Sequence, residues 1–193
     1  MNNIFERALN LEKPWYIKEV KFNEKEKQLD IYIDFEKGAT FSDESEGIIT
    51  QHKAYDTANK SWRHLNFFEH ECYLHARVPR IKTRDKKTKL VKSPWERLGN
   101  GFTLLFEALL LQLCSAMPVQ RVEKIVNVSD DKIWRILDRY TTEALKTNDY
   151  SLVDAIGIDE TSRRKGHNYI TLFVDLQERK TIFITEGVRP VSK

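Results

Sequence analysis

Two consecutive carboxylates, Asp159 and Glu160, follow an apolar run that begins at Val153, and a strongly basic turn comes directly after them. The β-branched and aromatic runs 169–174 and 181–184 come next, which predicts a three-stranded meander whose first strand ends in acid. Carboxylates at the end of a strand suit Mg²⁺, which takes one or two hard oxygen ligands from protein and fills the rest with water and phosphate. Exposed carboxylates that pair with the following arginines explain the same pattern without a metal.

The run from Ile158 to His167, with Tyr169 and the segment 173–176 after it, resembles the start of the catalytic domain of bacterial insertion-sequence transposases of the ISL-three family. This resemblance implies an RNase H-like fold of the DDE class, in which three separated carboxylates hold two Mg²⁺ ions for DNA strand cleavage and transfer. By position, Asp159 corresponds to the first of the three, which implies that it is catalytic and a metal ligand. The basic turn is then expected to face DNA phosphates through Arg163, Arg164 and Lys165.

The bulk properties fit a cytoplasmic protein that could bind phosphates. The chain has 193 residues, a formal net charge of +3, 32% charged residues and a mean hydropathy of −0.56. Its N-terminus lacks the basic and then apolar order of a secretory signal. The most hydrophobic segment, 102–114, is too short for the roughly 20 residues that cross a bilayer, so a buried core helix is expected and no membrane partner. The two cysteines, Cys72 and Cys114, form no C-x-x-C pair.

The N-terminal part alternates apolar and polar residues. A short amphipathic helix is predicted before Glu12, followed by a β-hairpin from the runs 15–22 and 29–35. Few large apolar side chains occur in 38–61, which predicts a loop or a small irregular module. Two further strands are predicted at 62–68 and 71–79.

The family resemblance implies a zinc ribbon in this part of the chain, but the ligands are missing. Asp43 and Glu46 stand where the first Cys pair would lie, and Thr83 and Lys86 stand where the second would. A lysine removes a lone pair and adds a positive charge at a site that needs four thiolate or imidazole ligands. We therefore expect a degenerate ribbon-like domain without zinc.

Basic residues outnumber acidic ones between Arg77 and Arg97. Such a block could neutralise several DNA phosphates, and a solvated charged linker explains it equally well. The candidate DNA-binding residues in the block are Lys82, Arg84, Lys86, Lys87 and Lys89.

A helix-turn-helix is predicted in the segment that follows. Thr103 caps a helix that runs to about Met117, Pro118 begins a second helix that ends at Val126, and a third runs from Ser129 to about Lys146. Ile125 of the second helix and Ile133, Trp134 and Ile136 of the third are expected on buried faces. The third helix would enter the major groove, with Lys132 and Arg135 facing DNA beside Asp130 and Asp131. A plain three-helix bundle fits the pattern alone, and the family resemblance favours DNA binding.

Together these patterns predict an α+β protein of three domains: a β-rich domain at 1–98, a helix-turn-helix domain at 99–148 and the first strands of an RNase H-like domain at 149–193. The sequence stops soon after Glu186, where the resemblance implies further elements that carry the second aspartate and the glutamate. We expect a truncated transposase that binds the terminal inverted repeats of an insertion sequence and is inactive by itself. The alternatives are a metal-dependent nuclease that uses Asp159, Glu160 and Asp175, or an interaction protein that self-associates or pairs with a full-length transposase along the exposed meander.

Overall fold

The two alternating runs near the N-terminus form an antiparallel hairpin. In the computed structural model, β1 (Trp15–Asn23) pairs with β2 (Gln28–Phe35). The short helix α1 (Asn2–Ala8) precedes them, and Phe5 and Leu9 pack against the core at the edge of this hairpin. The predicted helix and hairpin are confirmed.

The structure describes residues 2–45, 48–83, 86–97, 99–164 and 168–186. The chain forms two compact units, Met1–Asp138 and Arg139–Lys193. The domain limits predicted from the sequence remain a prediction.

A five-stranded sheet organises the first unit. Its further strands are β5 (Asp56–Phe67), β6 (His70–Lys82) and β7 (Thr88–Leu90). The strand order is β1-β2-β6-β5, with β7 also paired to β6; β2 and β6 are parallel, and the other pairs are antiparallel. An apolar core packs against this sheet and includes Trp15, Leu29, Ile31, Ile33, Trp62, Leu74, Val78, Ile81 and Trp95.

The segment predicted as a loop is instead regular, so that prediction is wrong. β3 (Thr40–Ser45) and β4 (Ile48–Lys53) form a separate antiparallel hairpin, and β5 begins at Asp56. Phe41 is buried and its ring lies 6.0 Å from that of Trp15. Among the side chains of this hairpin that the structure describes, the buried ones are Phe41 and Asp43. So few apolar residues leave no strand pattern in the sequence.

Three helices follow the sheet at nearly the predicted limits: α2 (Leu104–Ala116), α3 (Val119–Val126) and α4 (Asp130–Lys146). In α2 the fully buried side chains belong to one face, on which Phe106 and Leu110 lie, while Leu105 is 52% exposed. The predicted buried core helix is thus buried on one side only. None of the helices in the described part of the chain has the length and hydrophobicity that crossing a membrane requires.

The strands of the second unit form the predicted meander. β8 (Ile156–Arg164), β9 (Asn168–Asp175) and β10 (Lys180–Glu186) are antiparallel in the order β10-β9-β8. Apolar side chains on these strands remain exposed, among them Ile156, Ile158, Phe183 and Ile184. The architecture is therefore mixed α and β and rich in strands.

Candidate nucleic-acid interface

The turn between α3 and α4 sets the direction of α4. Asn127 ends α3 in the left-handed conformation, with φ 54° and ψ 47°, which Asn adopts more readily than most residues. The buried side chain of Val128 anchors the turn. The carbonyl of Ser129 then accepts the backbone N–H groups of Lys132 and Ile133, so that the first turn of α4 starts directly after it.

Helix α4 buries one side and exposes the opposite side near its N-terminus. Ile133 and Ile136 are buried, whereas Asp131, Lys132 and Arg135 are exposed. Residues four apart lie on the same side of a helix, and Arg135 Nε donates to the carbonyl oxygen of Asp131 at 3.2 Å. The start of α4 therefore offers Lys132 and Arg135 to a partner, with Asp131 beside them.

Two apolar residues expected on buried faces are exposed, which corrects the sequence analysis. Ile125 of α3 is 58% exposed and Trp134 of α4 is 57% exposed. Each belongs to a helix that buries only a narrow stripe, centred on Val122 in α3 and on Ile133 in α4. Trp134 borders a hollow of about 570 Å³ that is also lined by Leu111 and Cys114 of α2 and by Val119 of α3.

The N-terminus of α2 is fixed by side chains from outside the helix. Thr103 Oγ1 accepts the backbone N–H of Phe106 at 3.4 Å and lies 2.9 Å from His64 Nδ1 of β5. Burial, and secondarily the positive charge of Arg63, lower the pKa of His64 to about 4, so its imidazole is neutral near pH 7. Asn100 donates to the fully buried carboxylate of Glu107 at 2.6 Å. The contact between His64 and Thr103 joins the start of α2 to strand β5.

The basic block lies at the turn between β6 and β7. Lys82 ends β6 with its ammonium 3.8 Å from the ring centre of Tyr55. Thr83 and Lys87 close the turn, because Thr83 N–H and Oγ1 both donate to the carbonyl of Lys87. Lys86 and Lys87 are exposed on this turn. Arg84 lies outside the described residues.

Lys89 has a different environment from the other lysines of the block. It lies in β7 and forms an ion pair with the buried carboxylate of Asp43 in β3. Because the charge of Asp43 offsets that of Lys89, Lys89 should attract a phosphate less strongly than Lys86 or Lys87. The assignment of these residues to DNA binding remains a prediction.

The residues at the ribbon positions do not fit a zinc ion. Asp43 is engaged by Lys89, the hydroxyl of Thr83 donates to the turn, and Lys86 carries no lone pair when charged. Glu46 lies outside the described residues. Within the described ranges, no group of three or more His, Cys, Asp or Glu side chains is placed to hold a metal ion.

Asp159 does not lie at the end of a strand, which corrects the sequence analysis. β8 continues through Asp159 to Arg164, and Asp159 pairs with Leu172 of β9. The apolar pattern ends at Ile158, but pairing with β9 keeps the polar residues that follow extended. The backbones of Arg163 and Arg164 belong to β8, and Lys165 lies outside the described residues.

The register of β8 and β9 separates the carboxylates. Pairing runs without a shift from Ile156↔Asp175 to Ser162↔Tyr169, so Asp159 projects from one face of the meander. Glu160 and Asp175 project from the other face, since side chains alternate along a strand. Asp175 Oδ1 also accepts the backbone N–H groups of Gln177 and Glu178 at 2.9 and 3.2 Å, which makes it a turn residue. The three carboxylates of the nuclease alternative therefore do not share a site in this sheet.

A contact between the sheet and the helix-turn-helix was missed by the sequence analysis. Asn127 Nδ2 donates to Glu71 Oε1 of β6 at 3.2 Å, and Glu71 also lies beside Arg63. The residues are 56 positions apart in sequence, so no local pattern could pair them. The one local signal is an asparagine directly before a predicted helix, where the left-handed conformation is common.

The helical segment is similar in sequence to a transposase helix-turn-helix. Residues 91–141 match the family described as the helix-turn-helix domain of transposase family ISL3. The matched segment contains α2, α3 and most of α4. Helix-turn-helix domains are a class of DNA-binding domain.

Curated relatives point to the same family. The transposase for insertion sequence element IS1557 of Mycobacterium tuberculosis, in strain CDC 1551 / Oshkosh and in strain ATCC 25618 / H37Rv, is 26% identical to this chain over 129 residues. The match covers 66% of this chain and 29% of each relative. No solved structure matches the chain. The resemblance to insertion-sequence transposases of the ISL3 type is thereby confirmed.

Proposed function

We propose that this chain binds the terminal inverted repeats of an insertion sequence through α4, as the DNA-recognition part of an ISL3-type transposase. The observation that carries the proposal is the exposed start of α4. Lys132 and Arg135 are exposed there, while Ile133 and Ile136 anchor the opposite side of the helix by burial. The start of α4 lies within the segment that matches the transposase helix-turn-helix.

In this proposal α4 enters the major groove with its N-terminal turns against the base edges. Arg135 is suited to a bidentate contact with guanine O6 and N7, and Lys132 to a phosphate. Asp131 can accept from the amino group of cytosine. The α3–α4 turn and the N-terminus of α3 then lie close to the phosphate backbone, as in other helix-turn-helix domains.

The turn between β6 and β7 supplies a second contact with the DNA backbone. Lys86 and Lys87 are exposed on it, and Lys82 lies at its base. Cations at this turn increase affinity for any sequence through release of counterions from the DNA. They add to the sequence-dependent contacts of α4 without choosing the site.

For the second unit we propose that Asp159 holds the position of the first DDE carboxylate and that the chain by itself binds DNA without cutting it. Catalysis by two Mg²⁺ ions needs carboxylates from several elements around one point. In the described part of this sheet, the carboxylates of Glu160 and Asp175 project from the face opposite Asp159 and do not fit such a centre with it. We therefore favour DNA binding over the metal-dependent nuclease.

Binding to another protein is the second candidate function, because the meander exposes apolar side chains to water. Ile156, Ile158 and Phe183 are each more than half exposed. Self-association, or pairing with a full-length transposase, would cover them. Sedimentation of the purified chain, alone and mixed with such a transposase, tests this candidate; a monomer in both samples would contradict it.

Footprinting tests the main proposal. The chain should protect the terminal inverted repeats from cleavage by hydroxyl radicals at low salt and leave shuffled flanking DNA accessible. Absence of any protected window at low salt would contradict DNA-end binding. Incubation of supercoiled DNA with Mg²⁺ tests the second part: cleavage that Asp159→Ala abolishes would contradict a chain that binds without cutting.

A further inference from the structure

We propose that Glu71 of β6 is a positioning residue for the recognition helix, acting through its hydrogen bond to Asn127. The sheet and the turn between α3 and α4 would then hold the start of α4 in a fixed orientation toward DNA. This inference rests on the proposed function for its effect on DNA recognition. Its structural part, the coupling of β6 to the start of α4, can be tested without DNA.

The first step concerns Asn127, which occupies the point where the chain changes direction between α3 and α4. Its left-handed backbone sets the angle of the turn, and its side-chain amide donates to Glu71 Oε1 at 3.2 Å. Val128 and Ser129 alone separate Asn127 from the first residue of α4. A shift of this side chain is therefore transmitted to the helix start through very few bonds.

The second step concerns Glu71, whose carboxylate is held from several sides. Tyr73 Oη donates to Glu71 Oε2 at 2.8 Å, and Arg63 Nη2 lies 3.5 Å from Oε1. The pKa of Tyr73 is raised, first by burial and then by this hydrogen bond. The backbone of Glu71 is paired with Gln28 of β2 and donates to the carbonyl of Lys27 at 2.8 Å. The acceptor that meets Asn127 is thus fixed before the contact forms, which lowers the entropy cost of making it.

The third step concerns Arg63, which links the same carboxylate to α2. Its guanidinium is buried and lies 5.2 Å from the ring centres of both Tyr73 and Phe106. Its nitrogen Nη2 donates to Asn66 Oδ1 at 2.7 Å, and Nη1 donates to the carbonyl of His64 at 2.9 Å. The backbone of Arg63 donates to the carbonyl of Gly101 at 2.8 Å and accepts from Thr103 N–H at 3.0 Å.

The network therefore reaches the helix-turn-helix at two separate points. Arg63 contacts the N-terminal part of α2, and Glu71 contacts the turn before α4. Two contacts restrain the orientation of a helical domain better than one, because rotation about a single point is removed. A recognition helix held in this way loses less conformational freedom when it binds, and it meets the bases at a defined angle.

The variants follow from the geometry. Glu71→Ala removes the acceptor, and Asn127→Gly removes the amide while keeping a residue that adopts the left-handed conformation without strain. Glu71→Gln retains an acceptor oxygen for Asn127 and a side chain of nearly the same size. It therefore separates loss of the hydrogen bond from a change in packing. Glu69→Ala is the matched control, because Glu69 is an exposed carboxylate near Glu71 whose ion pair is with Lys27. It removes the same charge from the same strand region without touching Asn127.

The DNA measurement is the ratio of affinities for the terminal inverted repeat and for a shuffled duplex. We expect Asn127→Gly to lower this ratio about tenfold, and Glu71→Ala to lower it at least as much, since it also removes the contacts with Tyr73 and Arg63. The double variant should lower the ratio no further than Glu71→Ala alone, because the hydrogen bond to Asn127 is already lost in that variant. Glu71→Gln should lie close to the wild type, and Glu69→Ala should leave the ratio unchanged. Equal ratios for all the variants would overturn the positioning role.

The second measurement is hydrogen exchange of backbone amides at 128–133 in the absence of DNA. We expect faster exchange in Glu71→Ala and Asn127→Gly than in the wild type and in Glu69→Ala, because the start of α4 loses its tether. Unchanged exchange in both variants would overturn the coupling. A wild-type chain that shows no preference for inverted repeats would contradict the proposed function, whereas the exchange result would still decide whether Glu71 positions α4.

Discussion

The carboxylate of Asp43 in β3 and the ammonium of Lys89 in β7 form an ion pair that joins the β3–β4 hairpin to the edge of the five-stranded sheet. Asp43 is buried and Lys89 is partly exposed. Removing a carboxylate from water costs several kcal/mol unless a partner offsets the loss. Asp43 stands where the family resemblance implies a zinc ligand, and its ion pair with Lys89 is a metal-free connection between β3 and β7.

Lys89→Met should therefore destabilise the first unit. The change leaves the buried carboxylate without its cation, and we expect the free energy of unfolding to fall by about 1–3 kcal/mol, less than for a fully buried pair because Lys89 is partly exposed. Urea unfolding, followed by tryptophan fluorescence, measures the change. Lys87→Met is the control, since Lys87 is an exposed lysine on the adjacent turn. Equal stability of the two variants would show that the ion pair contributes nothing.

Removal of metal should leave the stability of the protein unchanged. Because Asp43 is paired with Lys89 and a charged Lys86 offers no lone pair, we expect no zinc site here and the same melting temperature before and after dialysis against EDTA. Addition of one equivalent of zinc should not raise it, because ligand binding stabilises a fold only when a site exists. Stoichiometric zinc in the purified protein, with a lower melting temperature after chelation, would contradict the metal-free ribbon.

Acid should destabilise the contact between β5 and α2 through His64. The folded-state pKa of His64 is about 4, below the ordinary value of 6.5. Between these values the unfolded chain binds the proton and the folded chain does not, so the free energy of unfolding falls as pH drops from about 6.5 to about 4. The loss is at most about 3–4 kcal/mol, at about 1.4 kcal/mol for each pH unit.

Comparison with His64→Asn isolates this contribution from that of other acidic and basic groups. Asparagine keeps a polar side chain near Thr103 but does not titrate. Urea unfolding at pH 7 and at pH 4.5 should show a smaller loss of stability for the variant than for the wild type. The same loss in both proteins would mean that His64 is not the group responsible.

The helices and the long strands could be predicted because local signals agree with the fold there. Thr103 caps α2 and Pro118 precedes α3, and both helices start within a residue of the predicted positions. The hairpin of β3 and β4 could not be predicted, since its buried face depends on Asp43, whose partner Lys89 is 46 residues away. Burial of Ile125 and Trp134 was predicted from the helical spacing of apolar residues, but their exposure depends on which neighbours cover each helix.

In the candidate site, too, local sequence signals predicted some features, while others depend on tertiary contacts. Lys132 and Arg135 were identified from their place at the start of a predicted helix, and the structure exposes both. The position of Asp159 within β8 could not be derived, because pairing with β9 extends the strand past the apolar residues. The contact of Glu71 with Asn127 is a tertiary one, for which a single sequence contains no pairing information.

The β6–β7 turn should contribute affinity without specificity. Replacement of Lys86 and Lys87 by alanine should lower binding to inverted repeats and to shuffled DNA by similar factors. The slope of log K against log salt should become shallower by about 0.9 for each phosphate that the turn no longer neutralises. Lys18→Ala, an exposed lysine of β1, is the control for a general change in charge. An unchanged salt slope in the double variant would exclude this turn from the interface.

The most direct test of DNA-end recognition is the ratio of affinities for a terminal inverted repeat and for a shuffled duplex of the same length, measured by fluorescence anisotropy at one salt concentration. The wild type should prefer the inverted repeat. Arg135→Ala should lower affinity for it by about 1–3 kcal/mol, roughly 5- to 150-fold, with a much smaller change for the shuffled DNA. Equal affinity of the wild type for both duplexes, or an equal loss on both in Arg135→Ala, would contradict base recognition by α4.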